Sequence, residues 1–341
     1  MFVGSSNGDI KLFTCNSNKK LAEDIVVYLS RLAEKTAKEK AEKLGTLPLF
    51  KDIRLNDSNV SYFKDGEINL KINESVRECD VFVIQSTSYP ANDNLMELLI
   101  MIDALKRASA KRITAIMPYY GYSRQDRKAR ARDPISAKLV ANLITSAGAD
   151  RVLTMDLHSA QIQGFFDIPA DHLRGIPVFY EHYKESFKDK LEEVIVASPD
   201  LGSVGRARSL AELLNVPISI VDKRRYKDDE SEVLNIIGDI KGKIAILADD
   251  EIDTAGSITN AAKSLIDKGA KEVYACATHG KFSGDALSKI VNSPIKEVLV
   301  LDTIFQRPDK QLDMIKTLST AKYFAEAIFR IHEGLPVSEL F

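Results

Sequence analysis

Short apolar runs of four or five residues recur along the chain, separated by stretches with helical period, and this alternation is its most constraining feature. The runs are Val81 to Gln85, Ile113 to Met117, Val152 to Met155, Val194 to Ala197, Ile218 to Val221, Ile244 to Ala248 and Val273 to Ala277. Runs this short, apolar on both faces, read as buried strands. Between them Leu95, Leu98, Leu99, Ile102 and Leu105 keep a 3.6-residue beat, as do Ile258, Ala261, Ala262, Leu265 and Ile266. These are core-facing helices. Strand and helix in alternation imply βαβ units and mostly parallel sheets flanked by helices. A chain of 341 residues, at about 150 residues per domain, suits two such α/β domains.

Leu105, Ala110, Lys111 and Ala115 are repeated as Leu265, Ala270, Lys271 and Ala275 at a constant offset of 160. Both sets read as a helix end followed by a strand, a hint of duplication. The sequence LRGIP, Leu173 to Pro177, supplies a Gly and a Pro between a loop region and a new helical stretch. The expected domains are therefore 1–174 and 175–341, the first with an extended helical region at 24–59. Its Lys, Glu and Ala-rich part, Leu29 to Leu44, reads as a solvent-facing helix.

Three cysteines, without CxxC spacing, argue against a disulfide framework and a structural zinc site. No window approaches ~18 apolar residues and no cationic leader precedes an apolar stretch, so the expectation is a soluble cytoplasmic protein without membrane association. The net charge of −2 gives no sign of a nucleic-acid-coating surface.

The strongest chemical signal is KIAILADDEIDTAGSITNAAKSLI. An apolar strand runs into Asp249, Asp250, Glu251 and Asp253, then Thr254, Ala255, Gly256 and Ser257, then an amphipathic helix. Ligands of open α/β sheets bind off the carboxyl ends of strands. Backbone N–H groups at a helix start, with the hydroxyls of Thr254, Ser257 and Thr259, form a phosphate site, and Gly256 permits close approach. Carboxylates repel phosphate, so they face sugar hydroxyls or a magnesium ion. The combination points to a phosphorylated sugar.

A second segment, TMDLHSAQIQGFFDIPAD, crowds Asp156, His158, Gln161 and Gln163 after a strand; His158 is either a packed or surface residue or a ligand of metal or phosphate. A third, Lys106 to Asp133, holds nine Lys or Arg against two Asp, a local charge of +7. It includes Tyr119, Tyr120 and Tyr122. Single-stranded nucleic acid would suit aromatics among cations, but no recognised RNA-binding motif accompanies them. Nucleotide polyphosphate or an effector phosphate is the better target, with a solvated loop or subunit contact as the other reading. SPDLGSVGRA places Asp200 after a strand, and VDKRRYKDDESEV carries Lys223, Arg224, Arg225 and Lys227 in a loop able to bring cations to a transferring group. P-loop, GxGxxG, GxSxG and HExxH patterns are absent.

Together these segments resemble the ribose-phosphate diphosphokinase (phosphoribosyl pyrophosphate synthetase) family over essentially the whole chain. DLHSAQIQGFFDIPAD is similar to the family signature, with Ala170 where a larger apolar residue is usual, and DDEIDTAGS to its ribose-phosphate loop. The resemblance implies two phosphoribosyltransferase-like domains. It further implies transfer of the β,γ-diphosphate of ATP to the C1 hydroxyl of ribose 5-phosphate, with Mg2+, and dimers assembled into a hexamer. Carried over residue by residue, Phe63, Asp65, Gly66 and Glu67 hold the adenine, and Arg124 and Gln125 make other ATP contacts. His158 and Asp200 are metal and polyphosphate ligands, and Lys223 and Arg225 are catalytic loop cations. Asp249, Asp250, Asp253, Thr254, Ala255, Gly256 and Ser257 bind ribose 5-phosphate.

The chain departs from the family pattern by some two dozen added residues between Asp24 and Phe63. It also has Lys322 and Tyr323 where a Pro and a Leu usually stand, near the region implied for a phosphate or ADP effector. Arg132 is a further candidate for an effector anion. Two alternatives share these motifs: a non-catalytic regulatory relative, which would lack loop cations or metal ligands, and a phosphoribosyltransferase, which would not need Phe63 to Glu67 or Arg124.

Overall fold

A computed structural model describes residues 8–44, 53–224 and 233–340. In chain order the first elements are β1 (Ile10–Thr14), α1 (Lys19–Leu44), β2 (Ser58–Tyr62), β3 (Ile68–Ile72), β4 (Asp80–Ile84), α2 (Ala91–Arg107), β5 (Arg112–Met117), α3 (Ser136–Ala147), β6 (Arg151–Met155) and β7 (Ala170–Leu173). There follow α4 (Ile176–Ser186), β8 (Val194–Ser198), α5 (Val204–Leu214), β9 (Ile218–Arg224), β10 (Val233–Ile237), β11 (Ile244–Ile252), α6 (Gly256–Asp267), β12 (Glu272–Gly280), α7 (Ala286–Val291), β13 (Ile295–Leu301), β14 (Ile315–Leu318) and α8 (Ala321–Glu333). All seven expected strands are present. Strands β2 and β3 were not legible because they are only half-buried, with polar and exposed residues set between Val60, Leu70 and the isoleucines, so neither has a continuous apolar run.

The chain divides into two units, one of Met1–Arg174 with Thr303–Phe305 and Thr320–Phe341, the other of Gly175–Asp302 with Gln306–Ser319. The first holds a five-stranded parallel sheet, β1-β4-β5-β6-β7, and a separate two-stranded hairpin, β2-β3. The second holds a seven-stranded sheet, β10-β9-β8-β11-β12-β13-β14, in which only β10 pairs antiparallel. Central strands such as β4 and β8 are buried at every residue, as expected when helices cover both faces.

The repeated residues occupy equivalent turns. Leaving α2, Ala110 N–H donates to Leu105 C=O at 3.1 Å and Lys111 N–H to Cys79 C=O at 2.9 Å. Leaving α6, Ala270 N–H donates to Leu265 C=O at 2.9 Å and Lys271 N–H to Lys243 C=O at 2.8 Å. A left-handed residue closes each helix, Ser109 at φ 63° and Gly269 at φ 98°, the usual way to satisfy the last carbonyls.

Two expectations are corrected. The tail after Thr320, expected in the second domain, belongs to the first unit: α8 lays Phe324, Ile328 and Ile331 inward and packs on α1. Asp80, buried at the start of β4, accepts from Arg112 Nε at 2.8 Å and meets His332 Nδ1 at 2.7 Å, which pins α8 to the sheet. Nor is the extension of α1 wholly solvent-facing or helical to residue 59. Leu29 and Ala33, four residues apart, and Ala41, eight further on, are buried along one face, the helix ends at Leu44, and Ser58 begins β2. Residues 45–52 lie outside the described residues.

Candidate active site

β11 continues past the expected Ala248 to Ile252, so Asp249, Asp250 and Glu251 lie within the strand rather than in a loop. They do not share one partner. Asp250 is buried, with Arg206 Nη1 of α5 3.8 Å from its Oδ1. Lys281 Nζ, just after β12, lies 3.6 Å from both Glu251 Oε1 and Asp253 Oδ2. Asp249 has no cation among these; its carboxylate accepts from the Ser203 hydroxyl and from the Asp250 N–H at 2.9 Å. Loss of solvent around this carboxyl, followed by the charges of Asp250 and Asp200, pushes its pKa up to about 7 against the opposing Ser203 hydrogen bond.

The turn after β11 leads straight into a helix. Ala255 takes a left-handed conformation, φ 59°, and α6 begins at Gly256 with no side-chain cap. Its first N–H groups are those an anion satisfies, and the helix dipole adds to the attraction. A Cβ on Gly256 would meet nothing within 4 Å. Thr254 and Ser257 are exposed beside it. Thr259 is not part of this cradle: it is buried, and its hydroxyl donates to Ala255 C=O at 2.8 Å. The loop is braced from behind, where Lys281 N–H donates to Ile252 C=O at 2.9 Å and Ser283 N–H to Asp253 C=O at 2.8 Å.

Asp200 follows β8, and its Oδ1 accepts from the N–H groups of Gly202 at 2.9 Å and Ser203 at 3.1 Å. Ser203 thereby joins Asp200 to Asp249. Carboxylates from two strand ends, all oxygen donors, fit a hard divalent cation. Among the described residues no three His, Cys, Asp or Glu are grouped so as to hold a metal ion. Lys223 is paired through its backbone with Leu234 near the end of β9; Arg225 lies outside the described residues.

In the first unit, Phe63, Asp65, Gly66 and Glu67 form the turn of the β2-β3 hairpin. Phe63 N–H donates to Glu67 C=O at 2.7 Å, Gly66 has φ 91°, and Glu67 N–H is held by Asp65 Oδ1 at 3.1 Å. Phe63 is 53% exposed, an unusual setting for a phenyl ring. Arg124 and Gln125 are exposed beyond the carboxyl end of β5, where the Gln125 side chain accepts from the Ser136 hydroxyl. His158, beyond the carboxyl end of β6, is exposed; the preceding Leu157 N–H donates to His172 Nε2 at 2.8 Å, so that nitrogen of His172 carries no proton.

The +7 stretch is not a single patch. Lys106, Arg107, Lys111 and Arg112 precede β5 or open it, while Arg124 to Arg132 follow it, and a six-residue strand separates its ends by roughly 20 Å. Arg107 and Arg112 are moreover paired with Asp103 and Asp80. Tyr119 and Tyr120 are buried, and Tyr120 donates to Ala137 C=O at 2.7 Å. They belong to the core rather than to a stacking surface. Ser203, Arg206 and Lys281 carry site geometry that spacing did not reveal, because what matters is which strand end they face.

The chain is similar to known proteins along most of its length. Residues 10–148 match the model of the N-terminal domain of ribose phosphate pyrophosphokinase, and 226–341 that of the phosphoribosyl synthetase-associated domain. The chain is 57% identical over 332 residues to the ribose-phosphate pyrophosphokinase of Caldanaerobacter subterraneus, covering 97% of this chain and 98% of that one. It is equally 57% identical to that of Clostridium tetani, with 97% of each chain covered. The crystal structure of phosphoribosylpyrophosphate synthetase from Mycobacterium smegmatis superposes with a TM-score of 0.83 at 41% identity, over 96% of this chain and 99% of that one. The chain belongs to the ribose-phosphate pyrophosphokinase family.

Proposed function

We infer that this protein makes phosphoribosyl pyrophosphate by moving the β,γ-diphosphate of ATP to the C1 hydroxyl of ribose 5-phosphate. The bond between the α-phosphate's bridging oxygen and the β-phosphorus breaks, the C1 oxygen bonds to that phosphorus and loses its proton, and AMP leaves. The observation that carries the reading within the site is the acidic end of β11 running directly into the uncapped start of α6. It offers carboxylates for hydroxyls and N–H groups for a phosphate a few residues apart.

Asp249 and Asp253 accept hydrogen bonds from the ribose hydroxyls, and Thr254 to Ser257 hold the 5-phosphate. Asp250 and its partner Arg206 are the inner support of that strand end. Phe63 to Glu67 and Arg124 with Gln125 bind ATP. Lys223 and Arg225 stabilise the charge on the diphosphoryl oxygens in the transition state. Magnesium, when bound, supplies charge neutralisation at those oxygens, with Asp200 and His158 the residues that would hold it.

The proposed self-association is as dimers assembled into a hexamer; what supports association of copies is the apolar residues left exposed at Leu139 and Leu143 on α3 and at Ile135 just before it. An effector anion, phosphate or ADP, is assigned to the basic residues around Arg132, which are exposed. Among the described residues no helix is long and apolar enough to cross a membrane, and a cytoplasmic location fits a reaction that consumes ATP. The test is to mix protein, ATP, magnesium and ribose 5-phosphate and to quantify AMP and phosphoribosyl pyrophosphate. Equimolar formation is expected; absence of AMP overturns the reading.

A further inference from the structure

Glu97 is a carboxylate with no exposed surface, on α2, and the transfer reaction gives it no role. Its partners are neutral donors from three other places. Oε1 accepts from Asn16 Nδ2 at 2.6 Å and from the Tyr62 hydroxyl at 2.8 Å; Oε2 accepts from Gln85 Nε2 at 2.9 Å and from Asn16 N–H at 3.0 Å. The Gln85 amide cannot turn over, because its Oε1 already accepts from Ser17 N–H at 3.1 Å and the Ser17 hydroxyl at 2.7 Å. Burying a carboxylate is costly unless charged hydrogen bonds replace its water, and here all four are supplied.

One of these contacts ends on the β2-β3 hairpin and a second partner reaches it in turn. Tyr62 is the last residue of β2, next to Phe63, and Asn16 Nδ2 also donates to Val60 C=O at 3.3 Å. The hairpin is a separate sheet without ladder bonds to the five-stranded one, and an isolated pair of strands is marginal alone. Its far end is tied near β1, where Leu12 N–H donates to Asn56 Oδ1 at 2.9 Å and Lys11 Nζ pairs with Glu74 Oε2 at 2.8 Å. Val60, Leu70 and Ile72 rest on the core between the two ends. The tie at the turn end is Glu97.

We propose that Glu97 is a positioning residue for ATP: through Tyr62 and Asn16 it sets where the exposed Phe63–Glu67 turn stands over the sheet. The inference rests on the reading of that turn as the adenine site. Charge matters as well as shape, since all four partners donate.

The experiment compares Glu97→Gln, Tyr62→Phe, the double variant and Phe63→Ala in steady-state kinetics, with hydrogen exchange of residues 58–72 alongside. Glu97→Gln is expected to raise the KM for ATP roughly tenfold and Tyr62→Phe about threefold, with kcat and the KM for ribose 5-phosphate within about twofold. The double variant should be no worse than Glu97→Gln alone, because both changes break one connection. Hairpin amides should exchange faster in Glu97→Gln. If both KM values rise together, or ATP KM is unchanged, the inference is overturned. Should Glu97→Gln fail to fold, the half-exposed Tyr62→Phe decides: a selective rise in ATP KM supports the role, an unchanged one removes it. Phe63→Ala separates the two levels. If it raises ATP KM while the Glu97 and Tyr62 variants do not, only the positioning role falls; if it too is silent, the adenine reading falls.

Discussion

The end of β4 and the end of β11 hold the same place in their sheets, and each hands the chain to a helix that returns through the same turn. Their connections nevertheless differ in kind. After β4 come Gln85, Ser86, Thr87 and Ser88, all buried. Ser86 donates to Thr303 C=O at 2.5 Å, Thr87 Oγ1 receives the Gly121 N–H at 2.7 Å, and Gln85 is consumed by Ser17 and Glu97. After β11 come carboxylates and small residues, with Thr254 and Ser257 exposed and a helix start left uncapped. Both helices start without a side-chain cap, so the difference lies in the loop side chains: those after β4 are spent on one another and on buried neighbours, whereas Thr254 and Ser257 after β11 stand exposed. Similar strand–helix–strand scaffolds thus carry one loop that is bonded internally and one whose hydroxyls are left exposed. The scaffold does not choose the chemistry; the loop residues do.

This contrast can be broken in several places. The largest effect is expected outside both loops: Lys223→Ala and Arg225→Ala should each lower kcat roughly 10²- to 10³-fold with modest KM changes, as for contacts made mainly in the transition state. Near-normal turnover in either would remove that cation from the reaction. Asp253→Ala comes next, with the KM for ribose 5-phosphate rising about 10- to 100-fold for the loss of a charged hydrogen bond; unchanged kinetics would take Asp253 out of the sugar site.

A pair of glycine replacements then sets one loop directly against the other. At Gly121 a Cβ would lie 2.4 Å from Thr87 C=O, so Gly121→Ala should cost about 2–4 kcal/mol in denaturant unfolding. At Gly256 a Cβ has open space, so Gly256→Ala should leave Tm nearly unchanged while raising the KM for ribose 5-phosphate about fivefold, because the methyl enters the phosphate cradle. If Gly256→Ala unfolds the protein instead, the second loop is structural too.

The smallest effect concerns Asp249. Its carboxyl holds a proton more tightly folded, near pH 7, than unfolded, near 3.8. The folded state is therefore favoured at low pH, and that advantage is lost as pH rises from about 4 through 7. Asp249→Asn should raise Tm at pH 8 by a few degrees and flatten the dependence. Magnesium should stabilise the natural protein more than this variant at that pH. Equal Tm profiles would show that the crowding of Asp200, Asp249 and Asp250 carries no energetic penalty.

Much of this was legible without coordinates. Seven strands announced themselves because both their faces are buried, and the DDEIDTAGS segment did so because carboxylates, hydroxyls and glycine cluster where a strand meets a helix. The hairpin did not, since strands with one wet face and polar side chains lack an apolar run. Tyr119 and Tyr120 misled for the opposite reason: aromatic side chains beside cations in sequence are buried in the core. Local charge counting failed in the same way, because β5, in the middle of the +7 stretch, carries its halves to opposite ends of the strand.

Sequence alone determined the α/β class and membership of the family, because these depend on residue types in local order. Only the tertiary structure decided that Asp250 belongs to Arg206, that Lys281 serves Glu251 and Asp253, that α8 closes the first unit, and that Glu97 reaches the hairpin. Each of those pairs residues far apart in the chain. Such pairing is set by how strands alternate their faces and how helices lie on a sheet, and residue order does not encode it locally.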